Sequence, residues 1–188
     1  MKRGLALVLL ALLAGTACTG SDPRCASLPG GGRYCLQPTA AVQPFDAQQK
    51  VNFSFDERRE ITIVELEVDA DGMRFAALTP FGNTVMQAEY DNRQVNIGTW
   101  PDRRLQPAML LALLQLALWP AESVRAGLQD SLTLEESGGT RRFTAAGETM
   151  LTIIRVGETA PYHNMQFEIP AYRLSVDIES LPQGKAGD

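Results

Sequence analysis

Residues 105–120 read LQPAMLLALLQLALWP, and this stretch decides the fold. Pro107 suits the first turn of a helix. Trp119-Pro120 ends the run, because proline has no N–H and disfavours a helical residue before it. Between these limits Leu105, Met109, Leu110, Leu113, Leu114, Leu116, Ala117 and Leu118 spread around most of a helical circumference, and Gln106 and Gln115 are the only polar members. A helix that is apolar nearly all round must be covered on several sides. Residues 108–119 rise only about 18 Å, too short to cross a bilayer. The cover must come from the chain on either side.

Both flanks read as strands. Upstream, Val51, Phe53 and Phe55 alternate with Asn52 and Ser54, the pattern of a strand with one wet face. Residues 60–69 alternate again, with Val64, Leu66 and Val68 on one face and Glu65 and Glu67 on the other. Asp69-Ala70-Asp71-Gly72 is a turn in which Gly72 can take positive φ. Residues 73–79 form the next strand, Pro80-Phe81-Gly82-Asn83 a second turn, and residues 84–90 and 93–98 two more strands. Downstream of a short second helix at residues 122–128, strands resume near Leu132 and Leu134 and at residues 141–144, 148–156, 162–169 and 172–179. Leu174, Val176 and Ile178 share a face. About ten strands in two blocks, split by one or two helices, exclude a Rossmann fold. They imply a mainly β chain with helices, of the α+β class: a curved antiparallel sheet or open β-barrel with a helical lid.

The amino-terminal region has a different character. Lys2 and Arg3 precede an apolar run from Leu5 to Ala14, followed by Gly15-Thr16-Ala17-Cys18. This is the layout of a secretory signal. The cysteine after small residues is the layout of a bacterial lipoprotein signal, in which Cys18 is lipidated and becomes the first residue. Ordinary cleavage to a soluble periplasmic protein is the alternative. Residues 1–17 are therefore expected to be a signal peptide, residues 18–49 a Gly- and Pro-containing tether, residues 50–180 one domain, and residues 181–188 a polar tail. Loss of Lys2 and Arg3 takes the net charge from −5 to −7. No basic stripe remains to attract nucleic acid or an anionic membrane, and contact with the membrane would come through lipid on Cys18. With Cys18 used as the anchor, Cys25 and Cys35 are left as a pair in an oxidising compartment. They bracket Pro29-Gly30-Gly31-Gly32, which lets the pair close as a disulfide. Free thiols or an intermolecular bridge are the alternatives.

Residues 78–84 (Leu-Thr-Pro-Phe-Gly-Asn-Thr), Tyr90-Asp91 and residues 110–120 together resemble a family of uncharacterised bacterial lipoproteins known as DUF3261. That family is itself similar to the outer-membrane lipoprotein receptor LolB and its periplasmic carrier LolA. The resemblance runs from about residue 51 to residue 178. It implies an open antiparallel barrel with helices closing one mouth around an apolar cavity. In the carrier and the receptor, that cavity accepts acyl chains, and receptor-like proteins deliver cargo with a protruding loop that exposes an apolar residue. Members of DUF3261 occur with genes for aryl polyenes, lipid-linked pigments of the outer membrane. The resemblance thus implies a handler of acyl or aryl-polyene-lipid cargo, with a LolA-like carrier as a partner. Thr19 follows Cys18, with no aspartate there to signal inner-membrane retention. By analogy the anchor reaches the outer membrane, facing the periplasm.

Signs of catalysis are sparse. His163 is the only histidine and reads as a surface or turn residue. No Gly-x-Ser-x-Gly elbow accompanies it, no His-Cys-Asp cluster has metal-ligand spacing, and Gly30-Gly31-Gly32 lacks the Lys of a phosphate loop. Asp69 and Asp71 read as turn formers. A non-enzymatic protein without a cofactor is expected. The candidate ligand-binding residues are Phe75, Leu78, Phe81, Met86, Leu110, Leu114, Leu118 and Trp119, set to line a cavity between sheet and helix. Ordinary core is the alternative for each. Arg103 and Arg104, just before the helix, are candidates for an anionic head group or for a solvated turn. Two function classes follow: a cavity-bearing handler of hydrophobic cargo, or a structural or scaffolding lipoprotein with a filled core.

Overall fold

The computed structural model describes residues 22–55, 58–101 and 106–182. The expected signal peptide, Cys18, Arg103 and Arg104 lie outside the described residues. The chain runs β1 (Cys25–Ser27), β2 (Arg33–Cys35), β3 (Phe45–Phe55), β4 (Arg58–Val68), β5 (Met73–Leu78), β6 (Thr84–Tyr90), β7 (Val95–Ile97), α1 (Pro107–Leu118), α2 (Ala121–Gly127), β8 (Leu128–Gln129), β9 (Thr133–Ser137), β10 (Thr140–Ala145), β11 (Glu148–Val156), β12 (Asn164–Ile169) and β13 (Leu174–Ser180). It is a mixed α+β fold dominated by one antiparallel sheet. Among the described residues, no helix is long and apolar enough to cross a membrane.

The main sheet has ten strands in the order β7-β6-β5-β4-β3-β13-β12-β11-β10-β9. Each half is a meander joined by short turns, and the halves meet where the first strand of one pairs with the last strand of the other. There Val51 lies opposite Ile178, Phe53 opposite Val176 and Phe55 opposite Leu174. This register aligns the apolar faces of the two blocks, which a slip of one residue would reverse. Val64, Leu66, Val68, Met73, Phe75, Ala77, Met165, Phe167 and Ile169 are all buried on that inner side. Glu65 and Glu67 face away.

The Asp69–Gly72 turn needs its glycine for a different reason from the one expected. Gly72 is absent from the positive-φ residues. A Cβ there would instead lie 2.7 Å from the carbonyl oxygen of Tyr90. Asp69 shapes the turn by accepting from the N–H of Asp71 at 2.8 Å and of Gly72 at 2.9 Å. In the Pro80–Asn83 turn Gly82 does adopt positive φ, +82°. Pairing shifts beside this turn, so that Ala77 faces Met86 but Leu78 faces Thr84. Val85 is the extra residue of a bulge.

The segment expected to be a tether is built into the fold from Cys25 onward. β1, β2 and β8 form a three-stranded sheet, and Cys25 and Cys35, directly opposite in register, form a disulfide. Ala26, Leu28, Tyr34 and Leu36 are buried. The Gln115 side chain holds this layer to α1. Its oxygen accepts from the Gln37 N–H at 2.7 Å and the Tyr34 hydroxyl at 3.2 Å, and its nitrogen donates to the Gln37 carbonyl at 3.0 Å. The Tyr90 hydroxyl donates to the Leu36 carbonyl at 3.1 Å, and the Trp119 indole to that of Pro38 at 3.0 Å. β3 then begins at Phe45 rather than near Lys50.

Candidate functional site

The inner faces of six neighbouring strands do not close on α1 everywhere. Between them lies a pocket of about 910 Å³. β3 lines it with Gln49, Val51, Phe53 and Phe55, alternate residues of one strand face. Thr62 and Val64 of β4, Phe75 and Ala77 of β5, Met86 of β6, Phe167 and Ile169 of β12, and Leu174, Val176 and Ile178 of β13 complete the sheet side. Met109, Leu110, Leu113 and Leu114 supply the helical wall, a stripe at i, i+1, i+4 and i+5 within the first two-thirds of α1. Ala171, Tyr172 and Arg173, in the turn between β12 and β13, stand at the rim.

The pocket has a clear depth axis. Along β3, Phe55 is 48 % exposed, Val51 is 3 % exposed and Gln49 is fully buried. Six residues of strand separate Phe55 from Gln49, or about 20 Å. Tyr172, 46 % exposed, flanks the outer end beside Arg173. Polar groups are few. Thr62 donates its hydroxyl to the Leu78 carbonyl at 2.7 Å. Gln49 donates its amide nitrogen to the Ser180 hydroxyl oxygen at 3.2 Å, while its Oε1 has no hydrogen-bond partner among the described residues. Arg173 is the one charged side chain among the described lining residues.

Of the residues singled out from the sequence, the structure brings Phe75, Met86, Leu110 and Leu114 into this lining. It places four elsewhere. Leu118 and Trp119 are fully packed, 2 % and 0 % exposed, where the end of α1 meets the leader and the second meander. Leu78 falls on the outer parity of β5, with Arg74 and Ala76. Phe81 is 92 % exposed at the tip of the β5–β6 turn, because a turn directs side chains out of the sheet layer. Val51, Phe53 and Val176 were legible as apolar faces, but not as faces meeting a void. Gln49 left one overlooked signal: a polar side chain at the parity of Val51 and Phe53.

A second cluster locks the far end of α1. Arg141, 2 % exposed, donates to the carbonyls of Leu116 at 2.7 Å and Ala117 at 3.3 Å. Arg155 donates to the Ala117 carbonyl at 3.2 Å, stacks on the Tyr162 ring and pairs with Glu136. Two guanidinium groups thus satisfy carbonyls that a helix end leaves unpaired, and their charge complements the helix dipole. Burial pushes the Glu136 carboxyl up, but Arg141 and Arg155 outweigh it and hold the group below its ordinary value. Burial likewise pulls Arg141 down, helped by the nearby charge of Arg155. On the outer face of the sheet a groove of about 460 Å³ is lined by Glu65, Glu67, Glu89 and Arg74; Arg74 is engaged there by Glu67 and Asp69. His163 is exposed. Among the described residues, no three His, Cys, Asp or Glu side chains group so as to hold a metal ion.

The family DUF3261, described as a protein of unknown function, matches residues 46–182, and the chain belongs to it. No curated protein matches the chain in sequence. Among solved structures it is distantly similar to a LolA superfamily protein from Nitrosomonas europaea, with 6 % identity and a TM-score of 0.45 over 79 % of this chain and 93 % of that one. It is also similar to a domain from Vibrio parahaemolyticus described as an outer membrane lipoprotein-sorting protein. Identity there is 9 % and the TM-score 0.42, over 80 % of this chain and 90 % of that one.

Proposed function

We propose that this chain is a non-enzymatic lipoprotein on the periplasmic side of the outer membrane, and that its pocket takes the apolar part of an acyl or aryl-polyene-lipid ligand. The pocket itself is the observation that carries the proposal. At about 910 Å³ it lies toward the upper end of the range of roughly 300–1,000 Å³ typical of small-molecule sites. Its walls are aliphatic and aromatic over nearly their whole extent. A filled core, as a purely scaffolding protein would have, does not need such a space. Six contiguous strands facing one void support a sheet that bends around the ligand as an open barrel, with α1 as its lid. Met86 and Met109 add flexible thioether side chains that adapt to ligands of varied shape.

Anchoring through Cys18 would hold the domain beside the bilayer. Phe81, almost wholly exposed on the β5–β6 turn, is suited to brief contact with lipid. A LolA-like carrier is the proposed source or recipient of the ligand. The test uses the exported full chain carrying Cys18→Ser, which leaves every described residue intact. Native mass spectrometry with organic extraction should reveal a bound lipid, and a fluorescent fatty acid should titrate with saturable, one-site binding. A folded protein that carries no extractable lipid and binds no such probe would overturn the proposal in favour of a scaffold. Phe81→Ser should bind the probe as wild type does, yet exchange it with vesicles more slowly.

A further inference from the structure

We infer that the chain, held by Cys18, turns the mouth of its pocket away from the bilayer that anchors it, and exchanges ligand with a soluble carrier on the aqueous side and not with that bilayer. The inference rests on the proposed anchor and pocket, and it fixes the orientation of one to the other. In an antiparallel meander, successive turns lie at alternate ends of the sheet. The β5–β6 and β12–β13 turns lie at the end where Phe55 pairs with Leu174, which is the pocket mouth. The turns at residues 69–72 and 91–94 lie at the other end.

Asp22, the described residue nearest the anchor, belongs to that other end. The Cys25 N–H donates to the Asp22 carbonyl at 2.9 Å and the Leu36 N–H to the Arg24 carbonyl at 2.9 Å. The Tyr90 hydroxyl donates in turn to the Leu36 carbonyl at 3.1 Å. Nearby, Thr39 donates its N–H to the Asn92 side chain at 2.7 Å and its hydroxyl to the Ala70 carbonyl at 3.3 Å. This chain of bonds ties Asp22 to Tyr90, the last residue of β6. Tyr90 is level with Phe45 through Met73 and Val68. The length of β3, from Phe45 to Phe55, then separates that level from the mouth by about 33 Å.

Cys18 and Asp22 are four positions apart in the sequence, and that length of chain reaches at most about 14 Å. A domain standing on its mouth would set Asp22 about 33 Å above the bilayer, more than twice that reach. Covalent length excludes the pose. Lying flat on the outer face of the sheet would press Glu65, Glu67 and Glu89 against the lipid. Surface character agrees. Phe55, Ile61, Phe81 and Tyr172, all toward the mouth end, are exposed, and apolar anchors of this kind suit a protein partner. The turns at the anchor end carry Asp69, Asp71 and Asp91 and no large apolar side chain. The soluble Cys18→Ser chain can present Phe81 to any vesicle, whereas the anchored chain cannot present it to its own.

The test uses the exported, lipidated full chain in vesicles of phosphatidylethanolamine and phosphatidylglycerol whose head groups carry an energy acceptor. Asp71 and Asn83 are exposed, at the anchor end and the mouth end. Asp71→Cys and Asn83→Cys each offer one thiol for a donor dye, since Cys25 and Cys35 are paired. The dye at residue 83 should lie roughly 20 Å farther from the head groups than the dye at residue 71. Equal transfer from the two, or stronger transfer from residue 83, would overturn the orientation. Inserting about twenty Gly and Ser residues after Gly20 gives a flexible tether that lets the mouth reach its own bilayer. Delivery of a bound fluorescent fatty acid to that bilayer should then rise several-fold, while transfer to fatty-acid-free serum albumin in solution stays unchanged. Equal delivery by the short and long tethers would overturn exchange from the aqueous side. A chain that washes off the vesicles would remove the anchor and this inference with it, leaving the pocket function standing. The tether comparison decides the matter even if a cysteine variant fails to fold.

Discussion

Leu114 and Leu118 sit one helical turn apart on the same side of α1, yet they should respond differently to truncation. Both are buried, at 5 % and 2 % exposed. Leu114 borders the 910 Å³ pocket, whereas Leu118 does not. Leu→Ala removes buried methylenes at either site, a transfer loss of about 2 kcal/mol. At Leu118 the vacated space is enclosed by packed atoms, so a cavity cost adds to this and the total approaches about 4 kcal/mol. At Leu114 the vacated space merges with a void already present, and the loss stays near about 2 kcal/mol. For a domain of this size, a difference of about 2 kcal/mol separates the melting temperatures by roughly 4–8 °C. Ligand binding should rank the other way. Leu114→Ala should weaken a fluorescent fatty acid several-fold, at about 0.8 kcal/mol per lost methylene contact, while Leu118→Ala leaves it within error. Leu114→Glu, which sets a carboxylate in the wall, should abolish binding. Urea melts and probe titrations on the same preparations test all of this. Equal destabilisation at the two positions, or a binding loss at Leu118 as large as at Leu114, would refute the distinction between wall and core.

Three further outcomes follow from the surroundings of the pocket. Arg141→Met should destabilise the fold by about 3 kcal/mol, because Glu136 loses a buried partner and the last carbonyls of α1 lose a donor; a melt within 1 °C of wild type would contradict this. Replacing Cys25 and Cys35 by serine releases a loop spanning ten residues of separation, and chain-entropy reasoning puts the loss at about 3 kcal/mol. Wild-type protein in reductant should match the double variant, and a wild type insensitive to reductant would count against a structural role for the bridge. The third outcome concerns acid. Hydrogen bonds from the Arg74 side chain hold the Glu67 and Asp69 carboxyls below their ordinary values of 4.5 and 3.8, with backbone N–H groups of Asp71 and Gly72 adding to the effect at Asp69. Carboxyls depressed in the fold stabilise it fully above those ordinary values, and the contribution is lost as pH falls through the lower folded ones. Arg74→Met should therefore lose stability less steeply than wild type between about pH 5 and pH 2, and parallel slopes would show that the pairs contribute nothing.

The strand faces were readable because period-two alternation is a direct consequence of the pleat. The apolar helix was readable because its whole circumference is apolar. What alternation cannot convey is whether an apolar face meets another layer or empty space. Leu114 and Leu118 are the same residue at the same helical phase, and only the arrangement of six strands tells them apart. The leader reads as a tether because β1 and β2 are three residues each, too short for a period to emerge from among glycines and prolines. Its order comes from long-range partners: the Gln115 amide, the Trp119 indole and the Tyr90 hydroxyl. Phe81 shows the converse. Its residue type predicts burial, its place in a four-residue turn predicts exposure, and the turn prevails because a hairpin tip has no opposing layer to bury it. Gln49 is the instructive case. A polar residue at an apolar parity costs stability in a closed core, so it persists there only with a full set of partners or with a reason to lack one. Ser180 accepts from the Gln49 amide nitrogen at 3.2 Å, and the Gln49 Oε1 is left without a partner among the described residues.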